Sequence, residues 1–382
     1  MPRYLAPHLV ADLKKKMVFV GGPRQCGKTT LARALMGRFK SSAYFNWDFD
    51  EHRRAILKRA WSDDARLVVL DELHKFPRWK NWLKGQHDVT GHRHRFLVTG
   101  SARLDVYRRG GDSLLGRYHY WRLHPMGLDE RPPRMTPAEA FQRLMRVGGF
   151  PEPFLDGDER EARRWRQERW DRVLRDDVRD LEPVRDLQTL ALFVSALRER
   201  VGSPVVLSNI ALDLQVAPKT LTHWLEVLER MYAVFVVRPY TRSLPRAIQK
   251  PPRVYFFDNG DVLGDEGARF ENLVATHLLK RIQFLQDRDG FAWELRYLRD
   301  KEGREVDFVV LRNREVHELV EAKLADDQPS RSLRYYLERL KPAYATQVVA
   351  ALKSRRSSQG VELTSPLLEF ARTEGRYQKG MG

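Results

Sequence analysis

Short runs of uninterrupted apolar residues punctuate the first third of the chain: MVFVG at 17–21, LVVL at 67–70 and FLVT at 96–99. A more mixed run, AYFNW at 43–47, reads as a fourth. Runs this short predict strands buried on both faces of a parallel sheet. Between the first two, residues 29–39 repeat their apolar positions at helical spacing. Strand and helix in alternation predict an α/β core over residues 1–130, ended where RPPRMTP at 131–137 breaks regularity.

The pattern then changes. Residues 131–200 read as a helical segment dense in Arg and Trp, as in EARRWRQERWDRVLRD at 161–176. In residues 201–258, LSNIALDLQ (207–215) and PKTLTHWLEVLER (218–230) predict two helices joined by Val216 and Ala217. Leu221, Trp224, Leu225 and Leu228 give the second an apolar stripe. AVFVVRPY (233–240) and RVYFFD (253–258) then predict paired strands. Residues 259–382 mix a helix at 270–280 with strands at 294–298, 305–311 and 316–322. No internal repeat is present, and the weakly patterned tail after Gly360 is expected to fray.

Composition narrows the class. A chain of 382 residues is long for one hydrophobic core, so two or three domains are expected. No apolar run approaches the ~20 residues a bilayer requires. The first residues lack an apolar core followed by a small-residue cleavage site. A cytoplasmic protein without membrane contact is the expectation. A single cysteine, Cys26, excludes an internal disulfide framework and any Cys-rich zinc site. Lys and Arg total 68 against 51 Asp and Glu, a net charge of +17, which favours a polyanionic partner such as nucleic acid. An Arg-rich solvated surface is the plainer account of the same excess.

Gly22-Pro-Arg-Gln25-Cys26-Gly27-Lys28-Thr29 fits G-x-x-x-x-G-K-[ST] in full, after a predicted strand and opening a predicted helix. In that setting the glycines, Gly22 among them, let successive N–H groups of Gln25, Cys26, Gly27, Lys28, Thr29 and Thr30 turn toward phosphate oxygens. Lys28 would reach the outer phosphates of ATP, and the Thr29 hydroxyl would bind Mg²⁺. Forty-three positions after Lys28, the run LVVL delivers Asp71 and Glu72. Asp71 would hold Mg²⁺ through its water shell, and Glu72 would orient the attacking water. The next strand ends Thr99-Gly100-Ser101, where Ser101 would sense the terminal phosphate. Arg117 would stabilise charge in the phosphoryl transition state.

Two further constellations stand out. The second of the paired helices opens with Lys219, Thr220 and His223, and the loop at 241–252 carries Arg242, Arg246 and Lys250 without an acid. Helix, helix and basic hairpin is the pattern of a winged helix-turn-helix, a fold that reads DNA or docks protein. Nearer the C-terminus, Glu271 lies on a predicted helix, while Asp307 and Glu321, 14 residues apart, fall on predicted strands with Lys323 two residues on. Glu321 and Lys323 share a strand face. Asp307 with Glu-x-Lys can hold one or two divalent metals and offer a lysine to a transition state. A cross-strand salt bridge is the other use of the same residues.

The whole resembles the prokaryotic AAA-type ATP-binding proteins that join an ATPase core to a C-terminal DUF4143 domain. The resemblance rests on GGPRQCGKTTLAR (21–33), VVLDELHKFPRW (68–79), LVTGSARL (97–104), LLGRYHYWRLHPM (114–126) and GGFPEP (148–153). RVLRDDVRDLEP (172–183), VYFFDNG (254–260), ARFENLVATHLL (268–279), GREVDFVV (303–310) and ELVEAK (318–323) extend it. It implies a P-loop AAA-type ATPase core, followed by the winged-helix module and a C-terminal α/β domain related to PD-(D/E)xK nucleases. It also implies that Glu271, Asp307, Glu321 and Lys323 are the motif positions of that nuclease-like domain, with a second Mg²⁺ or Mn²⁺. The expectation is a Mg²⁺-dependent, homo-oligomeric ATPase coupled to DNA binding and remodelling, with DNA cleavage as the further activity the resemblance raises. The alternatives are a nucleotide-gated switch that neither cuts nor moves DNA, and a defence-type nuclease licensed by ATP.

Overall fold

The computed structural model describes residues 3–100, 114–174, 186–241, 250–326, 328–375 and 377. They fall into two units, residues 1–125 and 126–382. The first is built on five strands: β1 (Met17–Gly21), β2 (Ser42–Asn46), β3 (Leu67–Asp71), β4 (Arg95–Thr99) and β5 (Tyr118–Arg122). They pair in the order β2-β3-β4-β1-β5, every pair parallel. β1 and β3 are buried along their whole length, which is why they read as continuous apolar runs and not as an alternation. Phe19, Val68, Leu70, Phe96 and Val98 pack there with Trp79 and Leu83 from the Trp79–Thr90 helix.

Parallel strands send every following loop out of one end of the sheet. Residues 22–27, Asp71 with Glu72, and Thr99 therefore gather there by topology alone. The strand order also reverses beside β1, because the chain runs outward to β2 and later crosses to β5 on its other side. Crevices at such reversals are the ligand sites of open α/β sheets.

The second unit carries an eight-stranded sheet: β6 (Val234–Pro239), β7 (Arg253–Phe256), β8 (Trp293–Arg299), β9 (Glu305–Arg312), β10 (Glu315–Lys323), β11 (Tyr344–Val349), β12 (Arg356–Ser358) and β13 (Val361–Thr364). Their order is β12-β13-β11-β10-β9-β8-β6-β7. The two helices expected before the hairpin are present, as Leu207–Asp213 and Pro218–Arg230. β6 and β7 pair antiparallel as expected, but β6 also pairs with β8 at Arg238↔Arg296. The hairpin thus extends the C-terminal sheet. β8, β9 and β10 form an antiparallel meander, and the Arg331–Leu340 helix leads to β11, parallel to β10.

The long Glu266–Asp289 helix starts where the Asp265 carboxylate accepts from the N–H of Ala268, and stops at Gly290, whose φ of 78° favours glycine. Phe270, Leu273, Leu278, Ile282 and Leu285 line its buried face. Burying each contributes about 1.5–3 kcal/mol, and Leu285→Ala alone would cost about 2–5 kcal/mol.

The described part of the tail expected to fray does not fray. After Gly360, Val361–Thr364 pairs with β11, and Phe370 and Tyr377 are buried. Glu369 takes an ion pair from fully buried Arg281 at 2.7 Å. Its described part is held by buried Val361, Leu363, Phe370 and Tyr377 together with buried polar pairs, in stretches too short to stand out as a pattern.

Candidate functional site

The loop after β1 has the backbone its glycines predict. Gly22 has φ 142°, and a Cβ there would collide with the carbonyl of Leu123. Gly27, at φ 92°, caps the Lys28–Met36 helix, and no side chain bonds its first-turn N–H groups. An uncapped helix start beside a curled loop leaves donors and a positive dipole end for an anion. Lys28 is buried, its ammonium donating to the carbonyls of Gly22 (3.0 Å) and Pro23 (2.6 Å). Gln25 takes φ 61°, and Thr30 is exposed on the first helical turn. Cys26 lines the loop only by its backbone, since its thiol is wholly buried and lies 3.6 Å from the Leu123 carbonyl.

Asp71 ends β3 at 2% exposure and gathers three hydroxyls. Thr29 and Tyr44 each donate to Oδ2 at 2.7 Å, and Thr99 donates to Oδ1. Burial, reinforced by the bond to Asp71, pushes the Tyr44 phenol up to about 12. Glu72 adopts a left-handed conformation (φ 57°) that caps the turn Leu73–Lys75. Its carboxylate lies 3.4 Å from Lys75 Nζ and 3.7 Å from His74 Nε2, while Lys75 also pairs with Asp48 at 2.5 Å. Burial raises the Glu72 pKa, opposed by the charges of Lys28 and Lys75. A hydroxyl and a carboxylate on adjoining elements suit Mg²⁺, and an ammonium with free helix N–H groups suits phosphates, so the residues fit Mg²⁺-ATP.

The structure thus brings Gly22, Lys28, Thr29, Asp71 and Glu72 to one end of the sheet. Ser101 lies outside the described residues. Arg117 is not brought to this end. It precedes β5 instead of following it, beside the start of β1, and forms a two-pronged ion pair with Asp88 (2.7 and 3.2 Å). Sequence reasoning missed Tyr44, Asp48, His74 and Lys75. Tyr44 is one tyrosine in a mixed strand, and its role depends on β2 pairing with β3, which spacing does not reveal.

In the second unit, Glu271, Asp307, Glu321 and Lys323 do converge. The Asp307 N–H faces Glu321 Oε2 at 3.4 Å, Asp307 Oδ2 accepts from the Ala322 N–H at 3.0 Å, and Lys323 pairs with Glu321 at 2.9 Å. They converge around an arginine that the sequence did not single out. Arg253, on β7 and 1% exposed, lies 3.2 Å from Glu271, 3.5 Å from Asp307 and in contact with Glu305. The Tyr255 hydroxyl donates to Glu271 at 2.6 Å. Burial, then the charge of Asp307, raises Glu271 to about 7 and Glu321 to about 8. Among the described residues no group of three or more His, Cys, Asp or Glu is disposed to hold a metal. The arrangement seen is an ion-pair network in which the Arg253 guanidinium and the Lys323 ammonium supply the positive charge.

Of the residues expected to meet DNA, Lys219 and Lys250 are exposed, and Thr220 and His223 half-buried. Arg242 and Arg246 lie outside the described residues. Among the described residues no helix is long and apolar enough to cross a membrane.

Three family profiles match the chain: an AAA domain at residues 14–131, a domain of unknown function (DUF8612) at 138–262, and a domain of unknown function (DUF4143) at 266–367. An uncharacterized protein of Mycobacterium tuberculosis is 27% identical over 246 residues, 64% of this chain and 54% of that protein. This chain therefore spans about half the length of that relative. Another, from Methanocaldococcus jannaschii, is 20% identical over 365 residues, 86% of this chain and 80% of that one. Among solved structures, the Walker-type ATPase of Pyrococcus abyssi is 13% identical with a TM-score of 0.42, covering 67% of this chain and 93% of that one. The Aeropyrum pernix ORC1 protein in complex with DNA is 17% identical, TM-score 0.33, covering 72% and 92%. The Thermotoga maritima RuvB Holliday junction branch migration motor is 16% identical, TM-score 0.31, covering 60% and 88%. With its parallel sheet, complete phosphate loop and matching profiles, the chain joins an AAA domain of ATPase-like P-loop fold to a C-terminal DUF4143 domain.

Proposed function

We propose that the protein is a Mg²⁺-dependent ATPase whose nucleotide cycle is coupled to DNA binding and remodelling by its second unit. The convergence of Lys28, Thr29, Asp71 and Glu72 carries this reading. ATP with Mg²⁺ supplies the phosphoryl group and the charge that polarises it. The helix N–H groups and Lys28 hold the phosphates, and Thr29 and Asp71 fix the metal side of the site. Glu72 orients water for attack. The net charge of +17 and the exposed Lys219 and Lys250 support a nucleic-acid partner. DNA cleavage at Asp307, Glu321 and Lys323 is the further part of the proposal, supported by their convergence on adjacent strands.

One observation favours a second reading, a nucleotide-gated switch. Glu72 is engaged by Lys75 and His74, which suits slow basal hydrolysis released by a partner. The deciding experiment measures ATP hydrolysis alone and with single-stranded, duplex and branched DNA. Stimulation of tenfold or more by one DNA form supports the coupled ATPase. Slow turnover that no DNA alters supports the switch, and absence of ATP binding overturns both.

A further inference from the structure

The ATPase reading makes no use of the Arg- and Trp-rich helix Glu159–Arg172, yet this helix walls a cleft of about 480 Å³ within the second unit. The Leu187–Arg198 helix, the turn at Gly260 and Asp261, and Arg269 complete the walls. Asp261 is buried, accepting from Arg169 (3.1 Å), Arg198 (2.8 Å) and Trp170 Nε1 (2.6 Å), and buried Asp258 takes Arg166 at 3.3 Å. Three guanidiniums thus face two carboxylates. Arg166 lies flat against the backbone, since a Cβ at Gly260 would collide with its guanidinium. This is a rigid floor with surplus positive charge.

Donors are left over. The Nε of Arg198 is buried with no acceptor among the described residues, while its guanidinium stacks on Trp170 at 4.8 Å. Arg269 uses Nε on the Val262 carbonyl (3.3 Å), and among the described residues no carboxylate pairs with Arg163 or Arg269. Five arginines and three acids line the cleft, with Trp170, Leu174, Val194 and Leu263 as its apolar wall. Guanidinium forks match phosphate oxygens in pairs. The volume falls within the ~300–1,000 Å³ of small-molecule sites, and the apolar wall gives an organic group somewhere to lie.

We propose that this cleft binds a phosphorylated small molecule of mononucleotide size, independently of the phosphate loop in the first unit. AMP and inorganic pyrophosphate are the probes, titrated calorimetrically into the full Lys28→Ala chain so that the loop contributes least. One AMP per chain is expected, binding more weakly as salt rises. In the same background, Arg163→Ala with Arg269→Ala should weaken AMP by about tenfold or more, since each removes a charge-assisted donor. The unfolding midpoint without ligand should change little, because neither side chain makes an ion pair among the described residues and Arg269 loses one long bond, at 3.3 Å to the Val262 carbonyl. AMP binding that the double variant leaves intact overturns the proposal, as does a chain that binds neither probe. Loss of oligonucleotide affinity with no AMP binding also overturns it, by assigning the arginines to a nucleic-acid backbone. These readouts do not depend on whether the first unit hydrolyses ATP.

Discussion

The hydroxyl of Thr29 donates to Oδ2 of Asp71 at 2.7 Å, joining the first turn of a helix to the end of a strand 42 residues further along the chain. Tyr44 donates to the same oxygen from β2. Tyr44→Phe leaves this buried carboxylate one donor short, a loss of about 1 kcal/mol in its positioning. ATP turnover at limiting Mg²⁺ should fall about fivefold and recover in part at saturating Mg²⁺. An unchanged Mg²⁺ titration would remove Tyr44 from the site.

Glu72→Gln keeps the shape of the side chain and removes its basicity. Turnover should drop by about 10²–10⁴ while nucleotide affinity is retained. Lys28→Ala should instead lose affinity, because the phosphates lose their buried cation. A fluorescent ATP analogue separates the two. Wild-type hydrolysis by Glu72→Gln would move the water-orienting role elsewhere.

What was legible in the sequence divides by the kind of physics involved. The phosphate loop could be read because its glycines, Lys28 and Thr29 are contiguous, and its chemistry demands those types at that spacing. Asp71 and Glu72 could be read because buried parallel strands are apolar to the tip, so an acidic pair there stands out. Tyr44, Lys75 and Arg253 could not, since each matters through a partner set by sheet order. Arg253 enters the acidic cluster from β7, 18 residues before Glu271 and 54 before Asp307. The joining of β6 to β8 was hidden for the same reason, as the alternation of a strand does not name its neighbour.

Arg117 lies at the opposite end of the sheet from Lys28, in a two-pronged pair with Asp88. A catalytic role therefore requires a second molecule. Arg117→Ala alone should reduce turnover at least tenfold. Mixing it with Lys28→Ala chains, which keep Arg117 but cannot use ATP, should restore part of the activity. Wild-type turnover by Arg117→Ala would leave it only the ion pair.

His277 is buried, accepts from the Leu128 N–H through Nε2 at 3.0 Å and faces the Leu273 carbonyl with Nδ1 at 2.8 Å. Burial lowers its pKa from 6.5 to about 4, with Lys280 and Arg281 pushing the same way and Asp129 opposing. The unfolded chain therefore binds the proton more readily. The stabilisation is fully present above pH 6.5 and is lost as pH falls toward 4, on the order of 3 kcal/mol. Urea unfolding at pH 7.5 and 5 should show this loss, and His277→Gln should shrink it. Equal pH dependence in the two proteins would assign the acid limb to other groups.

Arg253 decides what the acidic cluster can do. Its guanidinium sits among Glu271, Glu305 and Asp307, so Arg253→Met removes the cation these three carboxylates share and leaves Glu305 its looser pair with Arg299 at 3.6 Å. Breaking a buried ion pair from one side costs about 3–5 kcal/mol. Millimolar Mg²⁺ or Mn²⁺ should raise the melting temperature of this variant more than that of the wild type, because a divalent ion takes over the lost charge. If the cluster also cuts DNA, cleavage in the wild-type chain should require Mg²⁺ or Mn²⁺. Asp307→Ala should abolish it. Lys323→Ala should slow the chemical step and leave the metal-dependent gain in melting temperature, since its ammonium serves the transition state and not the ion. ATP hydrolysis should survive both substitutions. No cutting of any DNA form by either metal, with or without ATP, together with equal metal responses of wild type and Arg253→Met, would reduce the cluster to a structural network. Arg253 would then be its permanent counter-ion.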